Sequence, residues 1–337
     1  MTPMGDVTVP HLQRLWSRTC ANKPGKQPFD PVEAAADKIA IYGLGLGLYE
    51  TLQFLHVRRP DFDAFQDWIL ARNGGAIDPA RMAGVNDRIR RLADDGAAGA
   101  VEQAAVEPVL AEPALGADDL AFWDEHGYVV LREAVSREAA RAAERAVWDF
   151  VGARPEDPDT WYGNRDGHTI MVPLVHHPAF DANRRSSRIH AAYAQLLGTD
   201  DLVVTVDRGG FNPPERPNWR FPGPHLHWDT SLAQPIPLSI QGILYLADTP
   251  ADQGAFCCVP GFHRRIESWL GGLSPDANPR HEILKYPPTP VAGRAGDMVL
   301  WADTLPHGAS PNRGRYPRIV QYIAMYRADS VERRPWI

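Results

Sequence analysis

Short β-rich runs, separated by turns that contain proline or glycine, fill the chain from about residue 118 onward. Strands of this length with turns at this frequency are typical of an antiparallel sandwich or jelly roll. Two helices, one at about 118–126 and one that begins at Ser136, flank the first of these runs. We therefore predict a mainly β domain with flanking helices over residues 118–337. The predicted strands are 128–131, 202–206, 239–246, 297–301 and 318–326.

Residues 1–95 predict a helical segment instead. Asp30 is followed by Pro31 and Glu33, which supplies an N-cap, a first-turn proline and an acid at the third helical position. An amphipathic stripe of large apolar residues lies further along the chain and has to be buried. We expect it to pack on the outside of the β domain; a dimer partner or a lid over a site are the alternatives. The stripe consists of Phe62, Phe65, Trp68 and Ile69.

Residues 96–117 are rich in Ala, Glu and Pro, and predict a linker or a loosely packed crossing segment. The sequence thus divides into a helical segment at 1–95, this linker, and the β domain at 118–337.

Composition excludes several classes of protein. A net charge of −7 and the absence of Lys/Arg runs argue against a nucleic-acid partner. No stretch approaches the roughly 20 apolar residues of a membrane span, and the first residues do not resemble a signal peptide. Three cysteines, two of them adjacent, do not form a disulfide framework. We expect a cytoplasmic globular protein, and the sequence leaves its oligomeric state open.

A His-x-Asp pair, His227 and Asp229, is the strongest chemical signal when it is combined with the distant His307. Residues two apart on a β-strand point to the same face, so this pair can reach one metal while Trp228 points away. Two histidines and one carboxylate that leave open positions suit non-haem iron better than structural zinc. His225 also suggests a cupin-like His-x-His pattern, but no suitably spaced Glu completes it.

Further motifs accompany this pair in a fixed order: 122–131 (FWDEHGYVVL), 254–264 (GAFCCVPGFHR), 296–301 (GDMVLW) and 307–312 (HGASPN). With them, the chain resembles the phytanoyl-CoA dioxygenase family of Fe(II)/2-oxoglutarate oxygenases, over roughly the C-terminal two-thirds. The resemblance implies a double-stranded β-helix, a cupin-like jelly roll whose mouth holds iron. It also implies that His227, Asp229 and His307 are the iron ligands.

The family's co-substrate arginine maps onto Arg318, eleven residues beyond His307. Its planar, permanently charged guanidinium suits the far carboxylate of 2-oxoglutarate, which it can bind through two hydrogen bonds. Strand alternation places Arg318 on one face with Val320 and Tyr322, which we expect to be the interior. Arg313 and Arg315 are competitors, but they lie in a turn between two prolines.

Three polar residues are further candidates for binding 2-oxoglutarate. Gln241 and Tyr245 share a face of the strand after the His-x-Asp pair, although each is equally interpretable as an ordinary strand residue. Ser310 lies one position beyond the place where the family often has a hydroxyl; Ala309 occupies that place here. Either Ser310 substitutes for that contact or the contact is absent.

Substrate contacts are predicted in the proline-rich loop 211–224, where Trp219, Arg220 and Phe221 are candidates to line the cavity mouth. Several prolines lower the entropy cost of holding a loop in one conformation. A rigid cover packed against the barrel is an equally good interpretation of the same loop. The sequence does not identify the substrate.

These predictions combine into a dioxygenase that uses Fe(II), 2-oxoglutarate and O2 to hydroxylate an unactivated C–H bond of a small molecule, releasing succinate and CO2. Desaturation or epoxidation would use the same ligands, and an inactive jelly-roll binding protein is a further alternative. A halogenase of this fold would carry a small residue at position 229, so Asp229 argues against that activity.

Overall fold

The computed structural model describes residues 7–21, 29–98, 113–163 and 169–337. They fall into two compact units. The smaller unit contains the described residues up to 98 together with Asp201–Asp207 and Tyr326–Arg333. The larger unit contains the described residues from 113 to 200 together with Arg208–Met325 and Arg334–Ile337. Most of the predicted linker at 96–117 lies outside the described residues.

Helices dominate the first half of the chain. None of the helices that the structure describes is both long and apolar enough to cross a lipid bilayer. The helices are α1 (His11–Trp16), α2 (Pro31–Gly43), α3 (Leu48–Gln53), α4 (Phe62–Arg72), α5 (Pro79–Ala98), α6 (Ala117–His126), α7 (Arg137–Val151), α8 (Pro178–Arg184), α9 (Ser187–Leu197), α10 (Ile266–Gly271) and α11 (Pro279–Glu282).

Strands are short and belong mostly to the larger unit. They are β1 (Tyr128–Leu131), β2 (Met171–Val172), β3 (Leu202–Val204), β4 (Gly209–Asn212), β5 (Ile240–Tyr245), β6 (Phe256–Cys258), β7 (Thr289–Pro290), β8 (Met298–Ala302), β9 (His307–Ala309), β10 (Arg318–Tyr322) and β11 (Met325–Arg327).

The smaller unit is built on the predicted helical segment. Asp30 caps α2 by accepting hydrogen bonds from the backbone N–H groups of Val32 and Glu33. Two residues of the predicted stripe, Phe65 and Ile69, are fully buried. They share one hydrophobic core with other helical residues and with Val203 and Ala328, so this unit draws its core from three separate parts of the chain.

Two antiparallel sheets form the centre of the larger unit. One has six strands in the order β1-β8-β5-β10-β4-β2, and the other has three in the order β7-β6-β9. Their facing side chains share one core, with Ile243 and Val320 from the larger sheet and Phe256 and Cys258 from the smaller. The mainly β core predicted for this part of the chain is therefore present, with helices α6 to α11 in the same unit.

Strand β10 shows how this core positions polar side chains. Val320 lies in the core between the sheets. On the opposite face, Gln321 donates to the carbonyl of Phe180 and accepts from the side-chain amide of Asn183. The alternation predicted for β10 therefore holds, and it places Arg318 on the same face as Val320.

Candidate metal centre and co-substrate site

His227 and His307 are joined through their backbones. Each donates its N–H to the carbonyl of the other, at 2.9 and 3.0 Å, which forms an isolated antiparallel bridge. The two imidazole rings lie beside each other with centroids 4.6 Å apart. Pairing of backbones that are far apart in sequence therefore brings the two predicted histidine ligands together.

Gly308 makes this close approach possible. A β-carbon at this position would lie 2.7 Å from the carbonyl oxygen of His225 and 2.9 Å from that of Pro224. Because both neighbours are backbone atoms, neither can move aside without shifting the loop that leads to His227. Only glycine fits here without moving β9, which carries His307.

Asp229 completes the group. One carboxylate oxygen lies 3.5 Å from Nε2 of His227 and the other lies 3.3 Å from Nε2 of His307. Two ligands bound side by side at about 2.1 Å from a metal lie about 3 Å apart, so this spacing fits a single ion. The prediction that these residues sit on a β-strand is wrong in detail: His227 makes only the isolated bridge, and Asp229 lies in a bend. Trp228 does point away, donating from its indole N–H to the carbonyl of Thr304.

The outer nitrogens of the two imidazoles are held by backbone carbonyls. Nδ1 of His227 lies 2.7 Å from the carbonyl oxygen of His225, and Nδ1 of His307 lies 3.0 Å from that of Leu305. Nδ1 must carry the proton to donate to a carbonyl. A protonated ring can then also donate from Nε2 to Asp229, whereas a neutral ring carries its lone pair on Nε2. This is the tautomer that binds a metal through Nε2, with its ring orientation fixed by the second nitrogen.

The charges of the group are mutually stabilising. Partial burial acts against the ionised form of Asp229, but hydrogen bonds from His227 and His307 outweigh it and hold its pKa well below the usual range. Burial likewise opposes protonation of His227, yet the hydrogen bond and the charge of Asp229 outweigh it and raise its pKa. An anionic, metal-ready carboxylate is thus the stable form of Asp229.

A wall of aromatic rings encloses His307. The ring of Phe256 is stacked on its imidazole with centroids 6.1 Å apart, and the ring of Trp301 lies 5.0 Å away. The indole N–H of Trp301 is buried and has no hydrogen-bond partner among the described residues. The rings keep water from one side of the histidine and leave one unused donor beside it.

Arg318 is a buried arginine with unused donors. It is 1 % exposed, and its Nε and Nη2 atoms find no hydrogen-bond acceptor within the described part of the chain. Arg313 and Arg315, the competing candidates, are exposed. A buried guanidinium without a counter-charge is unfavourable, so an anion that fits between the sheets would satisfy it. The site therefore fits the far carboxylate of a dicarboxylic acid.

The other predicted co-substrate residues already have partners. Gln241 donates from Nε2 to Asp229 at 3.2 Å. The Tyr245 hydroxyl donates to the carbonyl of Val291 at 2.7 Å and accepts from a backbone N–H. Burial raises the pKa of Tyr245 strongly, although the nearby Arg318 acts against this. Ser310 contacts the carbonyl of Ala255 at 3.1 Å.

The three predicted substrate residues of the proline-rich loop differ in their exposure to solvent. Trp219 and Phe221 are buried, and Arg220 is exposed. Phe221 packs in a small apolar cluster with Ile170 and Ala309, two residues beyond His307. Of the three, Phe221 therefore packs against the segment that carries His307.

Two residues of this site were not predicted from the sequence. Asp303 is buried and accepts a hydrogen bond of 2.9 Å from Gln241. Arg280 donates to the carbonyls of Trp228 and Thr230, on either side of Asp229, at 2.8 and 3.0 Å. Neither belongs to a recognisable motif. The position of Asp303 four residues before His307 is a weak signal in hindsight.

A second group of possible metal ligands, His11, Glu33 and Asp37, lies in the smaller unit. Here Arg18 is paired with both carboxylates, and His11 is 2.6 Å from Asp37. Since cationic side chains already neutralise these acids, we interpret this group as a structural ion-pair network.

Part of the chain matches a known protein family. The family model for phytanoyl-CoA dioxygenase (PhyH) matches residues 123–320, more than half of the chain. A protein of Dictyostelium discoideum that carries the phytanoyl-CoA dioxygenase name is 22% identical over 264 residues, which cover 62% of this chain and 75% of the relative.

Among solved structures, similar chains include AviO1 from Streptomyces viridochromogenes Tue57, with a TM-score of 0.48 and 19% identity over 66% of this chain and 100% of that chain. EctD from S. alaskensis, solved with 2-oxoglutarate and 5-hydroxyectoine, has a TM-score of 0.47 and 17% identity, covering 68% of this chain and 82% of its own. The epimerase SnoN, solved with Fe3+, alpha ketoglutarate and nogalamycin RO, has a TM-score of 0.46 and 18% identity, covering 62% of this chain and 82% of its own. On the extent of the family match, the chain belongs to the phytanoyl-CoA dioxygenase family.

Proposed function

We propose that this protein is an Fe(II)/2-oxoglutarate-dependent dioxygenase that hydroxylates an unactivated C–H bond of a small molecule. The observation that carries the proposal is the combination of His227, Asp229 and His307, whose ligand atoms lie within 4.8 Å of one another, with the buried, unpaired donors of Arg318 in the same unit. We further infer that the two facing sheets are the halves of a double-stranded β-helix.

In this mechanism His227, Asp229 and His307 would hold the iron, with 2-oxoglutarate and O2 as co-substrates. The bound iron and co-substrate supply the oxidation of a C–H bond, with release of succinate and CO2. Arg318 binds the far carboxylate of 2-oxoglutarate and so fixes its orientation. The rings of Phe256 and Trp301 exclude water from the side of His307 that they cover.

We assign substrate binding to the proline-rich loop 211–224, which precedes His227 and Asp229. Phe221 supplies an apolar contact near Ala309, and the exposed guanidinium of Arg220 is available at the surface of the loop. Trp219, which is buried, supports the loop. Desaturation or epoxidation would use the same ligands, since those outcomes depend on how the substrate is placed.

Succinate formation tests the proposal. The purified protein, loaded anaerobically with Fe(II), is given 2-oxoglutarate and O2 with a panel of small molecules, and succinate and oxidised products are measured. Iron-dependent succinate release that Asp229→Ala abolishes supports an oxygenase, because the substitution removes one of the three ligands. A protein that binds 2-oxoglutarate but never releases succinate is a binding protein of this fold instead. Product masses separate hydroxylation from desaturation.

A further inference from the structure

The carboxylate of Asp229 is held less rigidly by its own segment of chain than the imidazole of His307. Its side chain is 54 % exposed, and it lies in a bend outside the regular strands. The imidazole of His307, by contrast, is 5 % exposed and extends from β9. A carboxylate in such a place can rotate about its Cβ–Cγ bond, and a metal site needs one orientation.

Gln241 supplies a fixed contact to this carboxylate. It is the second residue of β5, where it pairs with Trp301 of the adjacent strand β8. From there its Nε2 atom donates to Oδ2 of Asp229 at 3.2 Å and to Oδ1 of Asp303 at 2.9 Å. A carboxylate only accepts hydrogen bonds, so the orientation of the amide follows: both of its N–H bonds point at carboxylates.

Asp303 in turn holds Gln241. It follows the last residue of β8, and its backbone N–H donates to the carbonyl of Ser239, which extends the pairing of β8 with β5. Its side chain is buried, which is unfavourable for a carboxylate unless its charge is paired or its oxygens accept hydrogen bonds. A buried acceptor on a strand end is a rigid anchor for one N–H of Gln241, leaving the other N–H for Asp229.

We propose that Asp303 and Gln241 are positioning residues that fix the orientation of the metal-ligand carboxylate of Asp229. This rests on the proposed function, since it assigns Gln241 to the metal ligand and not to the co-substrate. The amide has already used both N–H bonds, and its remaining oxygen repels the carboxylates of 2-oxoglutarate. Asp303 acts through hydrogen-bond acceptance, and its charge is not required.

Metal binding by the apoprotein tests this without turnover. Co(II) affinity is measured by calorimetry, and the visible spectrum of bound Co(II) reports ligand geometry. Gln241→Met keeps the length of the side chain but removes the donor, so we expect Co(II) affinity to fall by about ten- to a hundredfold with a changed spectrum. The matched control is Gln321→Met, which removes a buried amide on β10 that contacts Asn183 and Phe180; it should leave the affinity and the spectrum unchanged.

Two substitutions at position 303 separate hydrogen bonding from charge. Asp303→Ala removes the acceptor and should match the loss seen in Gln241→Met. Asp303→Asn keeps an acceptor oxygen without the charge, so its Co(II) affinity should stay within about threefold of the unsubstituted protein, well short of the loss expected for Gln241→Met. The double variant Gln241→Met/Asp303→Ala should lose no more affinity than either single variant.

The outcomes are distinct. Unchanged Co(II) affinity and spectrum in Gln241→Met would overturn the proposal, as would equal losses in Asp303→Asn and Asp303→Ala. Circular dichroism and thermal melting confirm that each variant is folded before its affinity is compared. If the unsubstituted protein itself fails to bind Co(II), the proposed function fails, whereas normal binding without an effect at 241 or 303 contradicts this inference alone.

Discussion

The burial of Arg318 and its unpaired donors predict how a substitution there changes the KM for 2-oxoglutarate. Arg318→Lys keeps the positive charge but loses the planar fork, so one of two hydrogen bonds to the far carboxylate disappears. We expect the KM for 2-oxoglutarate to rise by about tenfold or more, which corresponds to about 1.4 kcal/mol. Steady-state succinate release at varied 2-oxoglutarate measures it.

The exposed Arg313 provides the control for that measurement, because Arg313→Lys should leave the KM for 2-oxoglutarate unchanged. A normal KM in Arg318→Lys, together with a raised KM in Arg313→Lys or Arg315→Lys, would transfer the role to one of the exposed arginines.

The buried thiol of Cys257 should make the free energy of unfolding depend on pH in the alkaline range. Burial raises the pKa of its thiol to about 11, although Arg318 acts in the opposite direction. A folded-state pKa above the unfolded value means that the folded protein holds the proton more tightly. The resulting stabilisation of the folded protein is complete below about pH 9. The free energy of unfolding then falls as the pH rises toward 11, by about 1.4 kcal/mol per pH unit.

Urea unfolding between pH 7 and 10.5 checks this. The free energy of unfolding of Cys257→Ala should fall less steeply above pH 9 than that of the unsubstituted protein. Cys20, which is only partly buried, serves as the control, and Cys20→Ala should follow the unsubstituted curve more closely. Parallel curves for all three proteins would mean that the Cys257 thiol titrates normally.

Among the elements, β9 depends on a single glycine. In Gly308→Ala the added β-carbon would press on the backbone of His225 and Pro224, so β9 has to move and His307 moves with it. We expect a stability loss of about 1–3 kcal/mol and weakened Co(II) binding, measured by urea unfolding and calorimetry. In the control Gly271→Ala, no heavy atom lies within 4 Å of the added carbon, so Co(II) affinity should be unchanged. Unaltered binding in Gly308→Ala would show that the loop before His227 yields easily.

Local signals in the sequence predicted the helix starts well. Asp30 and Ser136 cap α2 and α7 as expected, because an N-cap contact spans only two or three residues. Between α2 and α3, Gly45 adopts a positive φ of 73° and turns the chain.

Strand β3 and the end of the run 318–326 were predicted as strands of the β domain, but their partners could not be predicted. The structure breaks the run after Tyr322, and its last part, β11, pairs with β3. Which strands pair depends on contacts between distant residues, and a local pattern does not contain them. Asp303 escaped notice for the same reason: its role depends on the pairing of β8 with β5.

At the scale of the whole molecule, the core of the smaller unit makes truncation informative. It combines helices α1 to α5 with Val203, Tyr326 and Ala328. A chain that starts at Ala117 would leave those apolar side chains without their core, and exposed patches of this kind cause aggregation. We expect such a chain to be largely insoluble, as measured by the soluble fraction on expression.

Polar replacements in the truncated chain identify the cause. Val203→Thr and Ala328→Ser should recover part of the solubility if exposed core residues are responsible. A soluble and fully active protein starting at Ala117 would show instead that the helical segment is an independent module.

The backbone bridge between His227 and His307 links metal release to hydrogen exchange. Each of these two amide protons is held by the carbonyl of the other residue, so neither exchanges with deuterated solvent until the bridge opens. An ion bound to both rings ties the same two residues together from the side-chain direction. Opening then requires the ion to leave, and exchange at both amides slows in step by a factor that grows with the ratio of metal concentration to Kd. The lifetime of the amide protons at these two backbone positions therefore reports how fully the metal site is occupied.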